Sequence, residues 1–167
     1  MRWHEAFLEQ AKSDWRTYEA MTRSLADECQ QLHYLQMATE KLGKAMLLAE
    51  GIEIGKVRSS HKAFTRFLQI VVRHPRVQEE LQLSLAQLRS YIIPLLPLAE
   101  SIERLAPALA QDGPNPEYPW QAPSDTIRVP ALFSFPIALQ LQSPIGRKFL
   151  RLVRLLLYRF HILFLPR

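Results

Sequence analysis

Arg147, Arg151, Arg154, Tyr158 and His161 recur at steps of four, three, four and three near the end of the chain. On an α-helix that spacing lays them in a single stripe, and Lys148 stands beside it. Guanidinium groups attract phosphate, and a tyrosine ring can stack on a base. Arg147, Lys148, Arg151, Arg154 and Tyr158 therefore have the chemistry of a nucleic-acid contact. Two other uses of the stripe stay open. It could be the solvated side of a core helix, or it could lie on an anionic membrane surface. The rest of this helix is almost wholly Leu, Phe, Val and Ile, a wider apolar arc than one bundle face needs, so contact with a second copy also fits.

A second polar set lies earlier. Asp14, Glu40 and Lys44 meet if the first two helices pack together. They then form either an ion-pair network that orients those helices or a polar cleft for a nucleotide. His61 opens the third helix, where it caps or packs, or else joins that cleft. His33 reads as a surface or interface residue, and His4 and His74 sit at element ends. No cluster of His, Cys, Asp or Glu has metal-ligand spacing, and there is neither a Gly-rich phosphate loop nor a nucleophile elbow. Neither a metal nor a cofactor is expected.

The elements that must position these groups are helical. Nearly half of the 167 residues are apolar and only five are glycine, a composition that favours helix over hairpin-rich sheet. One helix is expected over residues 3–26, with Phe7, Ala11, Trp15, Tyr18 and Leu25 on one side. A second starts at Asp27, an N-cap with Gln30 as its capping-box partner, and carries Leu32, Leu35, Thr39, Leu42, Met46 and Ala49 until Gly51 ends it. The short link between them requires antiparallel packing. Gly51 to Ser59 reads as a loop, and Ser59 or Ser60 as the cap of a third helix bearing Phe64, Phe67, Leu68 and Val71. His74-Pro75 breaks that helix, and a fourth restarts there with Val77, Leu81, Leu85, Leu88 and Ile92. A shorter helix is expected from about Leu98 to Leu105.

From Pro107 to Pro144 the character changes, since eight of the twelve prolines fall here. Tyr118, Trp120, Phe133 and Phe135 make this stretch too aromatic for a disordered linker. It reads as an extended strap over the helices. Ser143-Pro144 then caps a final helix, residues 145–164. The predicted architecture is one all-α domain over 1–167: an up-and-down bundle of four to five helices (1–106), a Pro-rich strap (107–144) and a basic amphipathic C-terminal helix (145–165).

All sixteen acidic residues lie at or before Asp125, so residues 1–125 carry −2 and the remainder, Arg167 included, carries +7. The basic character belongs to the C-terminal segment. A lone cysteine, Cys29, cannot form an internal disulfide, and the N-terminus lacks the apolar core of a signal peptide. Together they suit the cytoplasm. No run approaches the roughly 18 apolar residues of a membrane span, so a spanning segment is not expected, and a membrane is not the expected partner.

The stretch from Phe7 to Leu68 resembles a HEPN domain. The resemblance rests on Gln10-Ala11-Lys12-Ser13-Asp14-Trp15 in the first helix and on Gln36-Met37-Ala38-Thr39-Glu40-Lys41-Leu42-Gly43-Lys44-Ala45 in the second. Gly51 follows, and then a His opens the third helix in His61-Lys62-Ala63-Phe64-Thr65-Arg66-Phe67-Leu68. The resemblance implies a helical bundle, frequently a homodimer, that binds RNA or nucleotide, sometimes beside an antitoxin or a nucleotidyltransferase. Catalytic HEPN ribonucleases carry an Arg followed after four to six residues by a His. Arg154 and His161 have that spacing, which implies a metal-independent endoribonuclease as an alternative to a non-catalytic binder. In such an enzyme the pair would activate a ribose hydroxyl and stabilise the charged phosphate. About one pair at such spacing is expected by chance in this composition. A third reading is a non-enzymatic interaction scaffold.

Overall fold

The computed structural model describes residues 1–165, so Arg167 of the basic tail lies outside the described residues. The fold is all-α, with one two-residue-long hairpin as its only sheet among the described residues. Helices α1 (Trp3–Arg23) and α2 (Glu28–Ala49) form the most extensive contact in the molecule. Leu8, Ala11 and Trp15 of α1 pack on Leu32, Leu35, Ala38 and Leu42 of α2 in the central core. The seam is narrow in α1. Phe7 is only half-buried, and Leu25, expected on the stripe, is 89 % exposed with φ +56° beyond the end of α1. Asp27 does occupy the N-cap of α2, but its side chain makes no cap bond; its carbonyl accepts from Gln30 and Gln31 instead.

Gly51, at φ +83°, ends α2 in the left-handed region that other residues adopt only with strain. The expected loop after it contains a short helix, α3 (Ile54–Arg58), whose Val57 is buried against Leu47. Next comes α4 (Ala63–Val71), and its cap overturns the expectation at Ser59 or Ser60. Its N-cap position is Lys62, which makes no side-chain cap bond. Glu103, nearly forty residues later, accepts from the backbone N–H groups of Phe64 and Thr65 at 2.8 and 2.9 Å and from the Thr65 hydroxyl at 2.6 Å. A helix start buried without water must find acceptors, and here a neighbouring helix supplies them.

The single fourth helix expected from Pro75 to Ile92 is two. Helix α5 (Pro75–Leu81) ends at Gln82, which is left-handed at φ 53°, and α6 (Leu85–Ile92) begins with a Ser84–Gln87 capping box. A 3-10 turn (Ile93–Leu95) carries the chain past Pro94 into α7 (Leu96–Glu103), two residues earlier than expected. The strap is more regular than an extended segment. It contains α8 (Pro107–Ala110), the antiparallel pair β1 (Trp120–Gln121) and β2 (Ile127–Arg128), a 3-10 turn at Pro130–Leu132, and α9 (Pro136–Gln142). Phe133 meets Trp120 and Phe135 edge-on with centroids 5.0 Å apart, and Trp120 and Phe135 lie tilted at 6.3 Å, while Tyr118 is 55 % exposed. The Glu28 carboxylate accepts from the Phe135 N–H at 3.0 Å, which pins the strap to α2.

Ser143 caps α10 (Pro144–Tyr158) as the sequence foretells, its hydroxyl accepting from Gly146 N–H at 3.1 Å. The helix does not run on to residue 164. It kinks at Arg159 (φ −103°, ψ 7°), and α11 (Phe160–Phe164) follows. Phe149 of α10 meets Phe64 of α4 edge-on at 6.0 Å, and Phe164 of α11 meets Phe67 at 5.1 Å, closing the core.

Gly43 decides how close α2 and α4 come. A Cβ built there would stand 2.5 Å from the backbone of both Ala63 and Phe64. On an isolated helix Gly→Ala stabilises by about 1 kcal/mol. Here Gly43→Ala should instead destabilise by about 1–3 kcal/mol through overpacking against backbone, read as a lower urea midpoint.

Candidate nucleic-acid interface

The stripe residues on α10 all face water. Arg147, Lys148, Arg151, Arg154 and Tyr158 are exposed, while Gly146, Phe149, Leu152, Val153, Leu156 and Leu157 between them are buried. Most of the apolar arc is thus covered by this chain's own core, with Leu150 and Leu155 partly buried and Ile145 exposed.

The cations differ in how far they are committed. Arg147 donates to the Gln142 carbonyl. Lys148 sits 5.0 Å from the centroid of the Tyr91 ring, a cation–π contact, and its carbonyl accepts from the Tyr91 hydroxyl. Arg154 approaches Glu19 of α1 at 3.9 Å, a loose pair for a side chain 66 % exposed. Arg151 makes no ion pair or side-chain hydrogen bond among the described residues. Arg159, outside the stripe, is held by both oxygens of Glu80 at 2.9 and 3.0 Å.

Beside Arg151 a groove of about 350 Å³ opens between α1 and α10, with Trp15, Tyr18 and Leu150 in its walls and Arg154 at its edge. The Trp15 and Tyr18 rings lie 5.3 Å apart, and the Trp15 indole N–H is buried without an acceptor. Burial, with Glu19 adding to it, pushes the Tyr18 hydroxyl up to about 12, so it is a neutral donor at physiological pH. Trp15 and Tyr18 were legible only as core positions. Their adjacency to Arg151 depends on how α10 lies across α1, which no local spacing encodes.

The kink at Arg159 changes the relation between Arg154 and His161. Both are exposed, but they belong to two helices rather than one, and Arg154 turns toward Glu19. The single helix implied by their spacing is interrupted between them. His161 instead lies near His4 at the start of α1. Burial lowers the pKa of His4, with Arg2 and His161 acting in the same direction, and its Nε2 has no partner.

The second polar set resolves into two separate pairs. Asp14 does not meet Glu40 or Lys44. Its carboxylate accepts from Lys41 across the helix pair and from Gln10 at 3.0 Å on its own helix. Glu40 accepts from Lys44 and from Gln36, each at 2.6 Å, and Lys44 also donates to the Arg58 carbonyl at 3.0 Å. Lys44 therefore ties α2 to the end of α3. His61 is half-buried and makes no hydrogen bond through its buried Nδ1. It neither caps α4 nor bonds to the Glu40–Lys44 pair. His33 reaches toward the strap, its Nδ1 3.7 Å from the Glu117 carboxylate.

Among the described residues no group of three or more His, Cys, Asp or Glu could hold a metal ion, and no helix is long and apolar enough to cross a membrane. No protein-family model, curated protein or solved structure matches this chain.

The ion-pair assignment is testable. Lys41→Met leaves the buried Asp14 carboxylate facing only Gln10. It should cost about 2–3 kcal/mol, less than for a wholly buried pair because Lys41 keeps some water contact. Combining it with Asp14→Leu should recover most of that loss. Unchanged stability in Lys41→Met would remove the structural role.

A pH dependence follows from His74, at the N-cap of α5 against Phe164. Burial lowers its pKa below the ordinary 6.5, with Arg76 adding to it. The folded state then binds fewer protons than the unfolded one. The stability it confers is present above pH 6.5 and is lost as pH falls through the depressed value. Denaturation midpoints should drop between about pH 7.5 and about pH 5, and His74→Leu should flatten part of that drop. An equal drop in the variant would assign the effect to other groups.

Proposed function

We propose that this chain is a non-catalytic, HEPN-like helical module that binds RNA through the exposed face of α10. The observation that carries the reading is the uniform exposure of Arg147, Lys148, Arg151, Arg154 and Tyr158 on one helix face, with Arg151 unpaired beside the Trp15–Tyr18 groove. Three supports converge. The net charge of +7 beyond Asp125 attracts a polyanion without reference to sequence. Tyr158, 46 % exposed, offers a ring for stacking. The resemblance of residues 7–68 to HEPN domains points to RNA or nucleotide as the ligand. A homodimer, or an antitoxin or nucleotidyltransferase partner, would extend this face rather than create it. Ribonuclease action by Arg154 and His161 has no comparable support, because the kink at Arg159 places them on different helices.

Binding of a fluorescent single-stranded RNA should weaken with salt, with a log–log slope of about −0.7 for each phosphate neutralised. Arg151→Gln should reduce that slope by about 0.7 while leaving the unfolding midpoint unchanged. Salt-independent binding, or none, would sink the proposal. Cleavage of an RNA pool in EDTA by the wild type but not by His161→Ala would put the endoribonuclease in its place.

A further inference from the structure

Another cavity lies away from α10. It occupies about 490 Å³ between α4 and α7, within the roughly 300–1,000 Å³ of small-molecule sites. Lys62 and Arg66 rise from the outer side of α4, four residues apart, and Arg104 faces them from the end of α7. All three are exposed, and none is ion-paired among the described residues. Two carboxylates share the wall. Glu103 is spent, since both its oxygens accept from the start of α4. Glu100 is exposed and engages none of the three cations.

A second cavity of about 310 Å³ adjoins the first, with Arg104 and Leu109 in the walls of both. Its character is different. Leu105, Leu109, Ala110 and Pro114 make it mainly apolar, with Ser101 at its edge. The two together give a cationic end joined to an apolar end, with Arg104 at the junction.

We propose that this cleft binds a small amphiphilic anion, its carboxylate or phosphate held by Lys62, Arg66 and Arg104 and its hydrocarbon part lying on Leu105, Leu109 and Pro114. Guanidinium forks match the planar oxygens of a carboxylate and also those of a phosphate. The head group alone would leave the apolar end empty, and a hydrocarbon alone would leave three cations unmatched. The site is independent of the RNA reading, because these residues lie on the side of α4 opposite Phe64, which packs on α10.

Thermal unfolding with octanoate, octyl phosphate, acetate and inorganic phosphate tests it, each as the only added ligand. One octyl compound or both should raise the midpoint by roughly 5–10 °C at about a hundredfold above Kd, and the better one identifies the head group. Acetate and inorganic phosphate should do much less. Arg104→Gln and Leu109→Asp should each abolish the rise, and Arg66→Gln serves if either variant unfolds. The proposal is overturned if neither octyl compound shifts the midpoint, if the short anions shift it equally, or if the shift survives in the variants.

Discussion

The first turn of α4 arrives against α2 at Gly43 so closely that a Cβ there would meet the backbone of Ala63 and Phe64, and the turn is largely buried. Two N–H groups at that turn, those of Phe64 and Thr65, would be stranded, and a buried donor without an acceptor costs about 1–3 kcal/mol. Glu103 meets the requirement by bringing a carboxylate from α7 into the interior, where it is 3 % exposed. Burial raises its pKa, while the bonds from Thr65 and Phe64 pull it back and the charge of Glu40 opposes them. A single side chain thus joins α7 to α4, at the turn where α4 meets α2. Phe64 and Phe67, placed by the same turn, then present their rings to α10 and α11.

That constraint organises the rest of the molecule. With α4 fixed, α10 can lie only where Phe149, Leu152, Val153 and Leu156 fill the remaining core, and its polar stripe must then face outward. Gly146 lets the start of α10 press on α9, since a Cβ there would stand 2.3 Å from the Gln140 carbonyl. Near the end of the described chain, the Arg76 guanidinium donates to the carbonyls of Ile162 and Leu165 and holds α11 against α5. The exposed cations on α10 and the cleft beside α7 are what this packing leaves uncovered on two different sides of α4.

The two polar clusters on the α1–α2 pair show how burial sorts charge. Asp14 and Lys44 are both nearly enclosed, at 6 and 7 % exposure, and each has a partner of opposite charge. Lys41 and Lys44 are three residues apart yet serve different neighbours, one crossing to α1 and the other reaching the Arg58 carbonyl. A nucleotide cleft would need some of these charges free. They are committed to holding α1, α2 and α3 in place.

Local signals were enough for the helical character, the antiparallel first pair, the stop at Gly51, the Ser143–Pro144 start of α10 and the exposed face of its stripe. Each is set within a few residues, by periodicity, a left-handed glycine or a hydroxyl cap. Five features needed the tertiary structure: the kink at Arg159, the left-handed Gln82, the Glu103 cap, the Asp14–Lys41 pairing, and the groove where Trp15 and Tyr18 lie beside Arg151. None has a local cause that spacing could reveal. Glu103 stands thirty-nine positions from Phe64 and Arg151 more than a hundred from Trp15, and only the packing of α7 on α4 and of α10 on α1 brings them together. Sequence periodicity determines which face of a helix is buried; what that face meets is decided by the fold.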